Sequence, residues 1–370
     1  MQNAEKTDFT TFGFIGLGLI GGSIAKALRR AVPEAVIYAT DPDEPSIRQA
    51  LAEKVIDKSF PAPEGEFFDC DVLFLCAPVS ENDRLAEALA QKIHPSTILT
   101  DVGSVKHTTF QAIGKTTLAE HFIGGHPMAG SEKTGFANSS ASLLENAYYI
   151  LTPSDSVSAL SVAAFEKLIG QIGAIPIVMS PQKHDEVTGG ISHLPHVIAA
   201  ALVNFIRDSD DSQGTMKRIA AGGFKDITRI ASSSSVMWQS ICMSNTDNIV
   251  RLLEGYIRSL NEFKEVIAAR NQEAIYQLFA SAKEYRDSFI SADLGPIKKV
   301  SALYVDIPDV PGSIAQTATI LALHSLSIKN IGIMHSREFQ QGALRIEFYD
   351  DETAEKAAEL LAEHSYKIFR

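Results

Sequence analysis

Cysteine is scarce in this chain: Cys70, Cys76 and Cys242 are the only three in 370 residues. They form no CxxC pair and no metal-like spacing, so a disulfide scaffold and a cysteine-held metal are both disfavoured, and small core residues are the preferred reading. That scarcity suits a reducing cytoplasm, the expected location. No run of Lys or Arg stands out and the net charge is −12, which argues against a nucleic-acid partner. The polar, mixed-charge segment Met1–Thr11 lacks the apolar centre of a secretory signal. We read no stretch of about 18 apolar residues, so no membrane span is expected. Tryptophan occurs once, as Trp238.

What is present is ordinary for a soluble globular protein. Hydrophobic residues make up 45% and charged residues 21% of a chain long enough for two or three domains with sizeable cores.

Residues 12–41 are the most informative stretch. A short apolar run ends at Gly16, Gly18 and Gly21 in GxGxxG spacing. A helix-like stretch through Leu28 follows, and a second apolar run, 35–40, ends at Asp41. Each part suits a dinucleotide. Gly16 permits the tight strand-to-helix turn, Gly18 lets backbone approach a pyrophosphate, and Gly21 brings helix close to strand. Leu19 and Ile20 open the helix, where unpaired N–H groups face phosphate oxygens. Asp41 can accept hydrogen bonds from ribose hydroxyls and would repel a 2′-phosphate, which favours NAD over NADP. An ordinary glycine turn is the alternative, but strand, helix, second strand and acid occur in the right order.

From residue 12 to about 180, short apolar runs alternate with helical patterns, which predicts a parallel sheet with helices on both faces. Ligands in such sheets sit beyond the carboxyl ends of strands. Ala77, Pro78 and the segment Asp101–Lys106 are therefore placed at the cofactor crevice. From about 181 to 293 helical patterns dominate: Asp185 to Phe205, kinked by Pro195, then Thr246 to Ala269 and Gln272 to Phe289. Ile249, Leu252, Leu253, Tyr256 and Leu260 recur at helical spacing. Such a module with leftover apolar faces commonly packs on a second copy of itself, so we read a dimerisation domain that also closes the active site. Residues 298–370 read as βαββαβ, a ferredoxin-like sandwich, with Ser313 as a possible helix cap and a turn over 338–342. The fold class is thus α/β: a Rossmann-type dinucleotide-binding domain (1–181), an all-helical domain (182–293) and a ferredoxin-like domain (298–370).

Three polar clusters carry candidate chemistry. Ser104 lies just past a strand end, where its hydroxyl meets either a ligand or its own backbone. His126, between Gly125 and Pro127, can accept a proton near neutral pH or merely cap its turn. His193 and His196 share one helical face. No carboxylate or third His is recognisable beside them, so no metal is expected. Arg229 can hold a carboxylate through two parallel N–H···O bonds, or pair with Asp226 on its own helix. Glu132 reads as a surface acid and Trp238 as core or pocket wall.

These clusters closely resemble those of the prephenate dehydrogenase family of tyrosine biosynthesis. The likeness is carried by Asp101–Lys106, Gly125–Glu132, Ser192–His196 and Phe224–Ala231, in the family's order, across roughly residues 10 to 290. It implies NAD-dependent oxidative decarboxylation of prephenate to 4-hydroxyphenylpyruvate. His126 would be the proton acceptor, and Ser104 would sit on the C4 hydroxyl or beside the nicotinamide. It also implies His196 on the substrate side chain with His193 close by, Arg229 on a carboxylate, Glu132 gating the entrance and Trp238 in the pocket wall. Arogenate, which carries an ammonium group, is the alternative substrate; a β-hydroxyacid dehydrogenase and a non-catalytic NAD and amino-acid sensor are further alternatives.

The tail resembles an ACT domain through the Asp309–Gly312 turn and the Ile328–Ile331 strand. That likeness implies an amino-acid site using Val310, Gly312, Ser313 and Asn330, and feedback inhibition by tyrosine.

Overall fold

The computed structural model describes residues 8–77, 84–85, 88–90, 92–130, 133–291, 301–308, 310–334 and 343–369. Pro78, Glu132, Asp309 and the expected turn over 338–342 lie outside the described residues. The chain divides into two compact units, Met1–Ile275 and Tyr276–Arg370.

In the first unit, strands β1 (Thr11–Ile15), β2 (Val36–Thr40), β3 (Lys58–Ser59), β4 (Val72–Leu75) and β5 (Ile98–Asp101) form a parallel sheet in the order β3-β2-β1-β4-β5. Both faces are covered, so the inner strands β1 and β4 are almost wholly buried rather than alternating. All four residues of β4 are buried, and Phe14 stacks on Phe74 with ring centroids 4.8 Å apart. Strand order reverses at β1, whose neighbours are β2 and β4. That reversal opens the crevice in which this fold class binds ligands.

The glycine turn sits at that point. Gly16 has φ +97°, and a Cβ there would lie 2.8 Å from the backbone of Cys76, so both conformation and space exclude a side chain. Gly21 packs so closely that a Cβ would come within 2.5 Å of the Gly16 carbonyl oxygen. Helix α1 (Leu19–Ala31) begins immediately after Gly18.

A bridge between Leu99 and Phe122 joins this sheet to three further strands, β6 (Ile123–Pro127), β7 (Tyr148–Pro153) and β8 (Ile175–Val178). β7 and β8 are parallel, but β6 and β7 are antiparallel, against the expectation of a wholly parallel sheet. The reason lies in the connection. Residues 128–147 contain short 3-10 turns and no crossover helix, and a parallel pairing requires a crossover.

The helical part of this unit begins at Pro181, earlier than its apolar periodicity suggests, because Ser180 caps the first turn by accepting from the Lys183 N–H and Pro181 stands where no donor is needed. Helix Pro181–Thr188 widens into a π turn over Gly189–His193 and continues as Leu194–Ser209. Pro195 has no N–H for the carbonyl four residues back, and the expected kink takes the form of this wider turn. Over an 18-residue window this helix reaches a mean hydropathy of 1.4, long and apolar enough to cross a membrane by length and composition. That corrects the reading that no such stretch exists. His184, Asp185 and His193 interrupt the apolar run, so it is visible only as an average. Helices Thr215–Ile219, Gly222–Thr228, Ser235–Ser244 and Thr246–Ala268 complete the unit, and Gln272–Ser291 runs on from it.

The second unit contains β9 (Ser301–Asp306), helix Ser313–Leu323, β10 (Ile328–Met334), β11 (Ala343–Phe348), helix Asp351–Glu363 and β12 (Lys367–Phe369). Its sheet order is β10-β11-β9-β12, antiparallel throughout. β9 alternates buried and partly exposed residues, as expected of a sheet covered on one face. Leu303, Val305, Leu344, Ile346, Leu321 and Leu361 form its own core. Ser313 is not the helix cap: Gly312, at φ +95°, holds the cap position, and Ser313 is the first helical residue. The left-handed backbone at Gly312 leads into this helix, and glycine adopts it freely.

Candidate functional site

At the N-terminus of α1 the cap residue Gly18 offers no side-chain acceptor, and a Cβ placed there would meet nothing within 4 Å. The first N–H groups, including those of Leu19 and Ile20, therefore await an outside acceptor in open space. Ala77 abuts Gly16 from the end of β4. Asp41 does more than the sequence suggests. Its carboxylate accepts from the Leu17 N–H at 2.6 Å and the Asp43 N–H at 2.7 Å, tying the glycine turn to the end of β2. Each oxygen keeps a further lone pair for a ribose hydroxyl. The turn thus fits a dinucleotide: acceptor-free donors for the phosphates and an acid for the ribose.

Next along the strand ends, Asp101 and Lys106 form an ion pair at 2.5 Å with both side chains fully buried. The Lys106 ammonium also donates to the Gly125 carbonyl at 2.6 Å, while the Gly125 N–H reaches the other Asp101 oxygen at 3.2 Å. Burial lowers the Lys106 pKa and the adjacent Asp101 carboxylate opposes that shift. This pair clamps β6 to the loop after β5 directly before His126. Gly125 is required there, because a Cβ would stand 2.5 Å from the Asp101 carbonyl oxygen. Ser104 lies in the same loop, partly exposed, between Asp101 and helix His107–Ile113. Ser104 thus follows the end of β5, and His126 lies within the neighbouring strand β6 rather than in a loop as expected.

His126 is 8% exposed, and its Nδ1 lies 2.8 Å from Nε2 of His184. His184 Nδ1 is in turn 2.7 Å from Asp185 Oδ1. Asp185 accepts from the Lys106 N–H and the His107 N–H, both at 2.8 Å. Burial, with His184, Lys106 and His193 adding to it, holds the His126 pKa well below the usual histidine value. Burial also lowers His184, against the pull of Asp185. Both rings are neutral at pH 7.

The remaining predicted residues lie on the helical part. His193 is buried and its Nδ1 is 3.1 Å from the Asn245 amide, which also donates to the Asp185 backbone carbonyl at 2.8 Å. Burial takes the His193 pKa down to about 4. His196 donates from Nδ1 to the Ser192 carbonyl at 2.9 Å and stacks on Trp238 with centroids 3.8 Å apart. Trp238 is therefore partly buried against both histidines, and its buried indole N–H has no acceptor. Arg229 is exposed at the start of the short turn Arg229–Ser232, which packs on helix Leu194–Ser209. Among the described residues Arg229 makes no ion pair with Asp226, so its guanidinium is not held by its own helix. The described residues contain no cluster of three or more His, Cys, Asp or Glu able to hold a metal ion.

His184, Asp185, Lys106 and Asn245 are the participants that sequence reading missed as site residues. A His-Asp pair inside the short polar helix Pro181–Thr188 was the available signal.

A dinucleotide turn at the end of β1 and a buried, neutral histidine near the end of β6 in the same unit fit a nicotinamide-dependent oxidoreductase with a Rossmann-type domain. Two family models narrow the class: "Prephenate dehydrogenase, nucleotide-binding domain" matches residues 24–178, and "Prephenate dehydrogenase, dimerization domain" matches 180–281. The prephenate dehydrogenase of Bacillus subtilis is 38% identical over 357 residues, 96% of each chain. That of Lactococcus lactis is 33% identical, covering 94% of this chain and 96% of its own. The crystal structure of Aquifex aeolicus prephenate dehydrogenase in complex with hydroxyphenyl propionate and NAD+ superposes with a TM-score of 0.72 at 33% identity. The match covers 76% of this chain and 99% of that one. The chain belongs to the prephenate dehydrogenase family. Its activity is that of the family, the NAD-dependent oxidative decarboxylation of prephenate.

Proposed function

We propose that His126 accepts the substrate's hydroxyl proton in this reaction. The observation that carries the assignment is a buried imidazole with a depressed pKa near the end of β6, the strand bridged to β5 of the dinucleotide-binding sheet. NAD+ supplies the hydride acceptor. As the hydride leaves C4, the hydroxyl proton passes to His126. As the C1 carboxylate departs as CO2, its electron pair restores the aromatic ring and the proton returns to oxygen, giving 4-hydroxyphenylpyruvate. Ser104 meets the C4 hydroxyl or the nicotinamide. His196, flat on Trp238, faces the substrate side chain with His193 behind it. Arg229, free of Asp226, takes one carboxylate, and Glu132 guards the entrance. Gly16, Gly18, Leu19, Ile20, Gly21, Asp41, Ala77, Pro78 and Ser104 form the cofactor site.

Purified protein mixed with prephenate and NAD+ is expected to release NADH and 4-hydroxyphenylpyruvate in equal amounts. Absence of both products would reject the reading, and parallel assays with arogenate and NADP+ measure the preferences.

Three further assignments belong to this reading. The helical part pairs two copies of the chain, supported by exposed apolar side chains such as Phe205, Ile219, Val236 and Met243. Tyrosine binds the ferredoxin-like domain, which acts as an ACT domain, near Val310, Gly312, Ser313 and Asn330. Exposure of Val310 and Asn330 and the open turn at Gly312 support it. The working domains are 1–181, 182–293 and 298–370, in a cytoplasmic enzyme whose three cysteines are free.

A further inference from the structure

Asp185, His184 and His126 form a single file of hydrogen bonds, 2.7 Å and then 2.8 Å long. Its direction follows from donor and acceptor chemistry. A carboxylate accepts only, so the nitrogen facing Asp185, His184 Nδ1, carries the hydrogen. A neutral imidazole has one N–H, so His184 Nε2 is the acceptor. The nitrogen facing it, His126 Nδ1, must then donate. That leaves His126 with a bare Nε2, the lone pair a proton acceptor requires. The other neighbouring groups that bear on His126 are Lys106 and His193, and both oppose a positive charge there.

We infer that His184 and Asp185 are positioning residues that hold His126 in its Nδ1–H tautomer, with its Nε2 lone pair free for the substrate's proton. Nothing else within this file can set the tautomer. Asp185 is itself fixed by the backbone N–H groups of Lys106 and His107, and its backbone carbonyl by Asn245. The relay therefore rests on an anchor shared between the loop after β5 and the helix that carries the substrate-facing histidines. It has the logic of a carboxylate–histidine couple behind a catalytic base, lengthened by one ring. This inference rests on the proposed role of His126.

The test compares His184→Leu with His184→Gln. Leucine breaks the file. The glutamine amide can accept from His126 through its oxygen and donate to Asp185 through its nitrogen. The leucine variant is expected to lose about 10²-fold in kcat with little change in KM for prephenate or NAD+, while glutamine recovers part of the loss. Nitrogen-15 chemical shifts of His126 in the resting wild-type enzyme are expected to report hydrogen on Nδ1. Hydrogen on Nε2 would overturn the inference, as would equal losses in kcat for both variants. If the wild-type enzyme releases no NADH from prephenate, the substrate assignment fails, and the resting-state tautomer still decides the relay.

Discussion

His126 concentrates the chemistry into one ring. Burial and its cationic or titratable neighbours keep it neutral, and a neutral ring with one free lone pair is what proton acceptance needs. Replacing it by asparagine is expected to leave NAD+ affinity, measured by calorimetry, within about twofold, while kcat falls by about 10²–10⁴-fold. The same buried histidines make stability depend on pH. The folded His193 titrates at about 4 and the unfolded one at the ordinary 6.5. Between these values the unfolded chain binds the proton and the folded chain does not. Stability is therefore full above pH 6.5 and declines as pH falls toward 4, with His126 and His184 acting in the same direction. Thermal melts across that window are expected to show a falling midpoint, and an asparagine at position 193 should flatten the slope. Of these residues, His126, His193 and His196 were legible because each stands in a compact polar cluster. Asp185 was not, because an acid among the polar residues of Pro181–Thr188 reads as a surface residue until the fold shows the backbone donors facing it.

At the level of elements, the turn after β1 and the clamp before His126 are packing devices. Gly21 lets α1 lie against the glycine turn, and Lys106 joins the loop after β5 to β6. Lys106→Met removes the ammonium from between Asp101 and the Gly125 carbonyl and leaves a buried carboxylate without its counter-charge. The expected cost is about 3–5 kcal/mol, read as a lower urea midpoint, with kcat reduced because β6 carries His126. A wild-type midpoint would show that water reaches Asp101. Strand and helix positions followed the apolar runs closely: the run at 35–40 is β2 at Val36–Thr40, and the helix expected at 246–269 spans Thr246–Ala268. The antiparallel β6–β7 pair was not legible, since strand direction depends on the connection's path and not on residue pattern. The π turn at Gly189–His193 was announced by Pro195, though its form was not.

For the molecule as a whole, two units with separate cores imply separable functions. A chain ending near residue 293 is expected to keep NADH production from prephenate and to lose inhibition by tyrosine. A truncated enzyme with unchanged tyrosine sensitivity would remove the regulatory assignment. The exposed apolar side chains of the helical part predict a dimer by light scattering in both the full and the shortened chain. Phe205→Glu, at a side chain 66% exposed, should shift that equilibrium toward monomer.

Order and spacing along the chain are enough to specify the dinucleotide turn, the sequence of strands and helices, the βαββαβ tail and the candidate histidines His126, His193 and His196. All of these depend on contacts between near neighbours or on a repeat that one element carries alone. Spacing cannot reveal that Asp101 and Lys106 are wholly buried together, that Asp41 pins the glycine turn, or that Asp185 stands behind His184 and His126. The last of these joins His126 to His184, 58 positions away, and Asp185 to the Lys106 N–H, 79 positions away. Each depends on desolvation and donor geometry, which exist only once the strands and helices have packed.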